Sequence, residues 1–306
     1  MLLRTANSAS VATASLVTAA LLAACAGAPT APPPPPPLGS VPLSPAQLEL
    51  CRDFEQAYRD RDPEIAALRE RAVADPEVSV WLARMFVRDV LASREGRAVA
   101  EHDDPDARAD AGYETRAIAE LQLFGAAAVP VLVDDLLRHD QPQARDLGVE
   151  LVGSVGAPAA PAVARLAASP DPRQRRAVGR ALGAIGAGPE AMPALRRLAT
   201  DDDFAVRADA LRELHAGGTP ARDLLIERLR DDDDAFVRRV AAGSLPWFPS
   251  RASALALVDY LRRCQRDGDM RGETVAQDAL QLLAGTRGMR SEASWRAWAE
   301  ALAADA

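Results

Sequence analysis

Alanine, leucine and valine recur along most of the chain at spacings of three and four, the interval that places side chains on one face of a helix. The period-two alternation of a half-buried strand is scarce. Between residues 125 and 245 this helical pattern is itself periodic. Asp140, Asp171, Asp202 and Asp233 lie 31 residues apart, and Arg145, Arg176, Arg207 and Arg238 follow them by five. Small residues (Gly148, Gly179, Ala210, Ala241) and apolar ones (Leu136, Ala167, Leu198, Leu229; Leu132, Val163, Ala194, Leu225) keep the same period. A fixed period of this length marks an array of stacked units.

Each unit reads as two helices joined by a short acidic turn, for example residues 192–200 and 204–216. Gly125, Gly156, Gly186 and Gly217 are placed to close helices in the left-handed conformation. Pro130, Pro161 and Pro193 sit early in first helices, where a missing N–H costs nothing. Asp171 before Pro172 predicts an N-cap, and the other three aspartates are expected at the equivalent position. The arginines are expected to reach carboxylates in adjacent layers, so both ladders are read as structural.

The segments Asp202 to Leu211 and Asp233 to Ala242 carry Asp, then Val-Arg, then Ala and Leu, after Pro-x-Leu in the preceding helix. They resemble short HEAT repeats of the compact kind seen in bacterial proteins and in phycobilin-lyase-type arrays. That resemblance covers about residues 125–285. It implies an all-α fold: a right-handed α-solenoid of about five HEAT-like helix pairs with helical caps at both ends. Thr219-Pro220-Ala221 lacks the ankyrin signature, and the tetratricopeptide Trp, Gly and Tyr pattern is missing. A looser fifth unit is expected from helices at 255–261 and 271–283. Residues 286–306, with Trp295 and Trp298 on one helix face, resemble the closing segment of bacterial HEAT arrays and predict a capping helix. Residues 46–124 lose the period. Helices at 78–91 and 113–124 there predict a front cap or degenerate repeats.

The N-terminus adds location. Arg4 precedes an uncharged run from 5 to 24 that ends Leu22-Ala23-Ala24-Cys25, the layout of a secretory signal, 1–24. It resembles a lipobox, in which the Cys25 thiol takes a lipid before cleavage. Ala26, by resemblance to proteobacterial lipoproteins, favours the outer membrane over the inner. Residues 25–45 then read as the lipidated cysteine and a tether: nine prolines lie in 28–45, including the run Pro32 to Pro37, which favours a polyproline-II spacer. All 36 basic residues are arginine, and loss of 1–24 leaves 35 of them against 44 acids, net −9. That balance opposes nucleic acid and anionic lipid headgroups.

Candidate chemistry is thin. The acidic runs 201–203 and 231–234 lack the spacing that wraps calcium, and the cluster Glu101, His102, Asp103, Asp104, Asp106 lacks a second histidine at ligand spacing. His139 and His215 fall at helix ends. Nucleophile-elbow, phosphate-loop and Cys-x-x-Cys motifs do not occur. No catalytic residue, metal or cofactor is assigned. Cys51 and Cys264 lie far apart, so only intermolecular pairing is envisaged. The working surface is expected on the second helices, with Glu150, Arg180, Arg212, Glu213, Arg239 and Trp247 as partner-facing candidates, a mixture with neither a basic stripe nor an aromatic row. Trp247 and Phe248, between prolines, are read as plugs filling a bend, with an exposed anchor as the other reading. The expected function is a monomeric, non-enzymatic, lipid-anchored scaffold for an envelope protein or peptide. A phycobilin-lyase-like enzyme or accessory, or a plain spacer, is the alternative.

Overall fold

The computed structural model describes residues 42–94, 113–186, 188–288 and 291–303, all within one unit, Val41–Ala306. Cys25, the signal, most of the tether and the Glu101–Asp106 cluster lie outside the described residues. The described chain is helical, and no strand occurs in it.

At the front, α1 (Pro45–Asp60) starts within the stretch assigned to the tether. Ser44 Oγ accepts the Gln47 N–H at 3.3 Å while Gln47 Oε1 accepts the Ser44 N–H at 2.8 Å, a capping box. Helices α2 (Ile65–Val73), α3 (Pro76–Arg94) and α4 (Tyr113–Phe124) complete the cap. Its core is aromatic: Phe54, Tyr58, Phe86 and Phe124 meet edge to face at 5.0–6.2 Å. Arg69 closes the half-buried side by donating to both oxygens of Glu120 at 2.8 and 2.7 Å. The run Glu114–Leu137 has a mean hydropathy of 1.5, enough for a membrane span, yet Leu121, Phe124, Leu132 and Leu136 are buried in this core.

Five helix pairs follow. The first elements are α5 (Val129–Val131, continuing as a wide turn Leu132–Leu137), α7 (Ala160–Arg165), α9 (Met192–Leu198), α11 (Gly218–Asp231) and α13 (Arg251–Asp267). The second elements are α6 (Pro142–Val155), α8 (Pro172–Ile185), α10 (Phe204–Arg212), α12 (Ala235–Ser244) and α14 (Met270–Ala284). Tight turns of four and three residues extend α10 through Glu213–Ala216 and α12 through Leu245–Trp247. Consecutive second helices pack on one another from α6 to α14, which makes the unit an α-solenoid.

Both apolar columns are buried, and the small column does what its size requires. At Gly148 the fit is tight, since a Cβ would stand 2.9 Å from Leu136 Cβ, whereas at Gly179 one would lie at ordinary contact distance, 3.6 Å from the Ala210 backbone. In the fourth unit it is Gly218 (φ +61°) that takes the left-handed conformation expected of Gly217 (φ −85°).

The turns depart from the expected register. The N-caps are Asp171, Asp203 and Asp234, whose carboxylates accept the N–H groups of Arg173, of Ala205 and Val206, and of Phe236 and Val237. Gln141 holds the first position without a side-chain cap. Asp140, Asp202 and Asp233 each sit one residue too early. Second helices begin at 142, 172, 204 and 235, so α8 starts one residue sooner than the 31-residue period places it. Counting from those starts, the fourth residue is Arg145, Arg175, Arg207 and Arg238. Each donates from Nη1 to two carbonyl oxygens of its own turn at 2.6–3.2 Å. Arg176 is therefore not in the ladder; Arg175 is. Arg175 also grips both oxygens of Asp201 at 2.7 Å, and Arg207 both of Asp232 at 2.9 Å. Each staple ties one repeat to the next. Burial pushes the Asp201 carboxyl up, but the Arg175 hydrogen bonds, the Asp203 N–H and the charges of Arg175 and Arg207 together hold the group below the usual aspartate range.

At the end, α15 (Glu292–Ala301) lies on α13. Trp295 is fully buried, meets Trp298 edge to face at 5.8 Å, and Arg296 donates to Asp259 at 2.7 Å. Cys51 and Cys264 are free thiols inside the core, 1% and 2% exposed, which removes the intermolecular disulfide considered from the sequence. Burial, with Glu55 and Asp75 nearby, pushes the Cys51 thiol up to about 11, and burial raises Cys264 as well.

Candidate partner-binding face

The outward side of the second helices is set by their periodicity. Positions 2, 5, 9 and 13, counted from each helix start, fall on one stripe, though at the fifth position of α10 the small Ala208 is buried. Glu150, Arg180 and Arg212 share the ninth position of α6, α8 and α10; Glu150 and Arg212 are exposed and Arg180 is half-buried. Arg239 holds the fifth position of α12, half-buried, with Nη1 donating to Asp269 at 3.4 Å. Trp247 takes the thirteenth position and is 69% exposed, whereas Phe248 packs against the core. The pair thus splits: Phe248 is the plug and Trp247 the exposed ring.

Glu213 does not face outward. One residue past the outward position, it turns its carboxylate into the space left by Gly183, where a Cβ would overlap it. Burial pushes its carboxyl up, and Asp209 adds to the rise, against the lowering pull of His215, Arg180 and Arg212.

The structure adds residues that the sequence reading missed. With α8 starting early, Arg173, Arg176 and Arg180 occupy its second, fifth and ninth positions. Arg176 Nε donates to Asp209 Oδ2 and Arg212 Nη1 to Asp209 Oδ1, both at 2.7 Å, so two guanidinium groups share one carboxylate that is 8% exposed. The Arg212 guanidinium lies 5.4 Å from the centre of the Phe236 ring. Phe236 meets Phe204 edge to face at 6.2 Å, and His215 lies 6.1 Å from Trp247. Arginines therefore run across α8, α10 and α12 beside Phe204, Phe236 and Trp247, where the sequence showed neither stripe nor row. Part of the signal was present in Asp171-Pro172, an N-cap followed by a proline in the first helical position, which marks 172 as the start of α8.

On these three helices no carboxylate occupies positions 2, 5, 9 or 13; acids return on the flanks, as Asp146 and Glu150 on α6 and Asp278 on α14. The acidic runs are taken up in turns. Asp201 and Asp232 are stapled, Asp203 and Asp234 cap helices, and Asp233 Oδ1 accepts from Arg207 at 3.0 Å. Chemically the face offers planar donors, which match carboxylates in pairs, next to apolar rings.

Residues 129–215 and 159–246 match the family model described as HEAT repeats. The helix pairs are similar to HEAT repeats. No curated protein matches the chain. Among solved structures, a chain in the complex of CpcE and CpcF of phycocyanin lyase from Nostoc sp. PCC7120 is similar at 20% identity. The match covers 90% of this chain and 100% of that one, with a TM-score of 0.33, a likeness too low to carry an argument about activity. The HEAT-like array and its second-helix face are the frame for a functional reading.

Proposed function

We propose that the protein is a lipid-anchored, non-enzymatic scaffold that holds a protein or peptide partner of the cell envelope on the second-helix face of its HEAT-like array. The observation that carries this reading is Trp247, 69% exposed on a rigid Pro246–Pro249 turn beside a row of arginines. Tryptophan and arginine dominate binding hot spots because each offers a large contact area with a fixed geometry. Repeat arrays use such continuous surfaces for extended partners. The anchor rests on the sequence around Cys25, and the tether on the prolines that follow it.

Site-specific photo-crosslinking in intact cells tests the reading. A crosslinker at position 180 or 247 is expected to give a discrete protein adduct that one at position 196, on first helix α9, does not give. Cys25→Ala is expected to move the chain from the membrane to the soluble fraction. Absence of adducts from the second-helix positions would overturn the scaffold, and unchanged membrane fractionation would overturn the anchor.

A further inference from the structure

Resting on the partner-binding reading above, we propose that this face recognises an acidic, extended segment of the partner, with carboxylates on Arg176, Arg180, Arg212 and Arg239 and an apolar side chain against Phe236 and Trp247.

The first argument is charge placement. The chain carries 44 acids against 36 bases, so an arbitrary stripe of its surface should show more carboxylates than guanidinium groups. The outward positions of α8, α10 and α12 show the reverse, with Arg173, Arg176, Arg180, Arg212 and Arg239 and no acid. The Arg176–Asp209–Arg212 bridge is one carboxylate short of neutral, and Asp209 is recessed while the two arginine side chains are 48% and 47% exposed. Their outer N–H groups face solvent in an orientation already fixed by Asp209 and, for Arg212, by Phe236. Pre-oriented guanidinium lowers the ordering cost that a bidentate carboxylate contact otherwise carries.

The Arg180 pair is exchangeable. Arg180 meets Asp146 at 2.7 Å, but the two side chains are 39% and 57% exposed, and such surface pairs contribute little. An incoming carboxylate can displace Asp146 at small cost.

Geometry sets the length. Adjacent packed helices lie roughly 8–10 Å apart, so α8 to α12 spans about 20 Å, the reach of about six extended residues at ~3.3 Å each. Acids on α6 and α14 bound the stripe on either side, repelling the same segment and fixing where it sits.

The test uses the full chain carrying Cys25→Ala and a fluorescein-labelled peptide of four Glu-Glu-Phe repeats, with a Gln-Gln-Phe peptide of equal length as control. Fluorescence anisotropy is expected to show the acidic peptide binding at least about tenfold tighter than the control at low salt, with the preference shrinking in 0.5 M salt. The double substitution R180Q and R212Q should abolish the preference. W247A should weaken both peptides alike, and R196Q on α9 should change nothing. Equal binding of the two peptides, or insensitivity to R180Q with R212Q, overturns the proposal. So does tighter binding of a twelve-nucleotide oligo-dT, or concentration-dependent dimerisation that the double substitution removes, which would give the face to a second copy. Adducts from position 247 in cells combined with equal peptide binding would sink only the acidic-segment inference; absence of adducts strikes the scaffold reading itself.

Discussion

Single side chains in this protein work mainly by closing accounts between repeats. Arg207 is the clearest case: it donates to the carbonyls of Asp201 and Asp202 and to the carboxylate of Asp232, which is 1% exposed. Arg207→Met would take the bidentate partner from that buried charge, leaving it Arg228 at 4.0 Å and the Asp234 N–H, and urea denaturation is expected to show a loss of about 3 kcal/mol. Glu213 is the opposite case, because burial works against its ionised form. Its folded-state value is raised, so whatever stability attends its protonated form is complete below about pH 4 and is lost as pH rises through the folded value. Glu213→Gln should therefore raise the melting temperature at pH 7, with the gain over the parent chain vanishing toward pH 4. The thiols need no proton argument beyond burial. Cys51 and Cys264 should resist a thiol reagent at pH 8 in the folded chain and react together once it is unfolded in guanidinium.

At the scale of elements, helix spacing depends on two glycines that differ in how much room they leave. Gly179→Ala puts a methyl at ordinary contact distance from Ala210 and is expected to stabilise by about 0.5–1 kcal/mol through the lower entropy of the unfolded chain. Gly148→Ala drives a methyl to 2.9 Å from Leu136 Cβ and should destabilise by about 1–3 kcal/mol. Paired thermal melts of the two variants check both signs. These elements were legible because a 31-residue period repeats burial, breaker and cap together, so α5 to α12 emerge from self-comparison, with α13 and α14 read as a looser fifth unit beyond it. The N-terminal helices α1 and α2 were not, since they repeat nothing: the former is marked by Ser44 and Gln47, a cap signal hidden at the edge of a proline-rich stretch. The candidate face was half legible. Glu150, Arg180 and Arg212 were named from the sequence as facing residues, but equal 31-residue offsets put Ala181 rather than Arg180 in their row and assigned Arg176 to the staple. Only the three-dimensional start of α8 moves it outward, and the aromatic row is invisible until α10 and α12 lie side by side.

For the whole molecule, stability in a stack of this kind is a sum of units and the contacts between neighbours. The last pair has a neighbour on one side only, and Trp295 on α15 supplies buried surface on the other. Trp295→Ala should remove about 3–5 kcal/mol locally. Hydrogen exchange is then expected to quicken in α13 and α14 while α6 and α8 keep their protection. A uniform rise along the array would mean that the solenoid opens as one body.

The early start of α8 bears on how such an array can be rebuilt. A helix turns about 100° per residue, so a unit exchanged between the second and third repeats at equal sequence offsets arrives rotated by that angle. Its stapling arginine would point to solvent, and an outward arginine would be driven between layers. Modules of this protein are interchangeable only when cut at their helix starts, 172 and 204, and the interval of 32 residues there, against 30 before it and 31 after it, is the measure by which the chain departs from a true repeat.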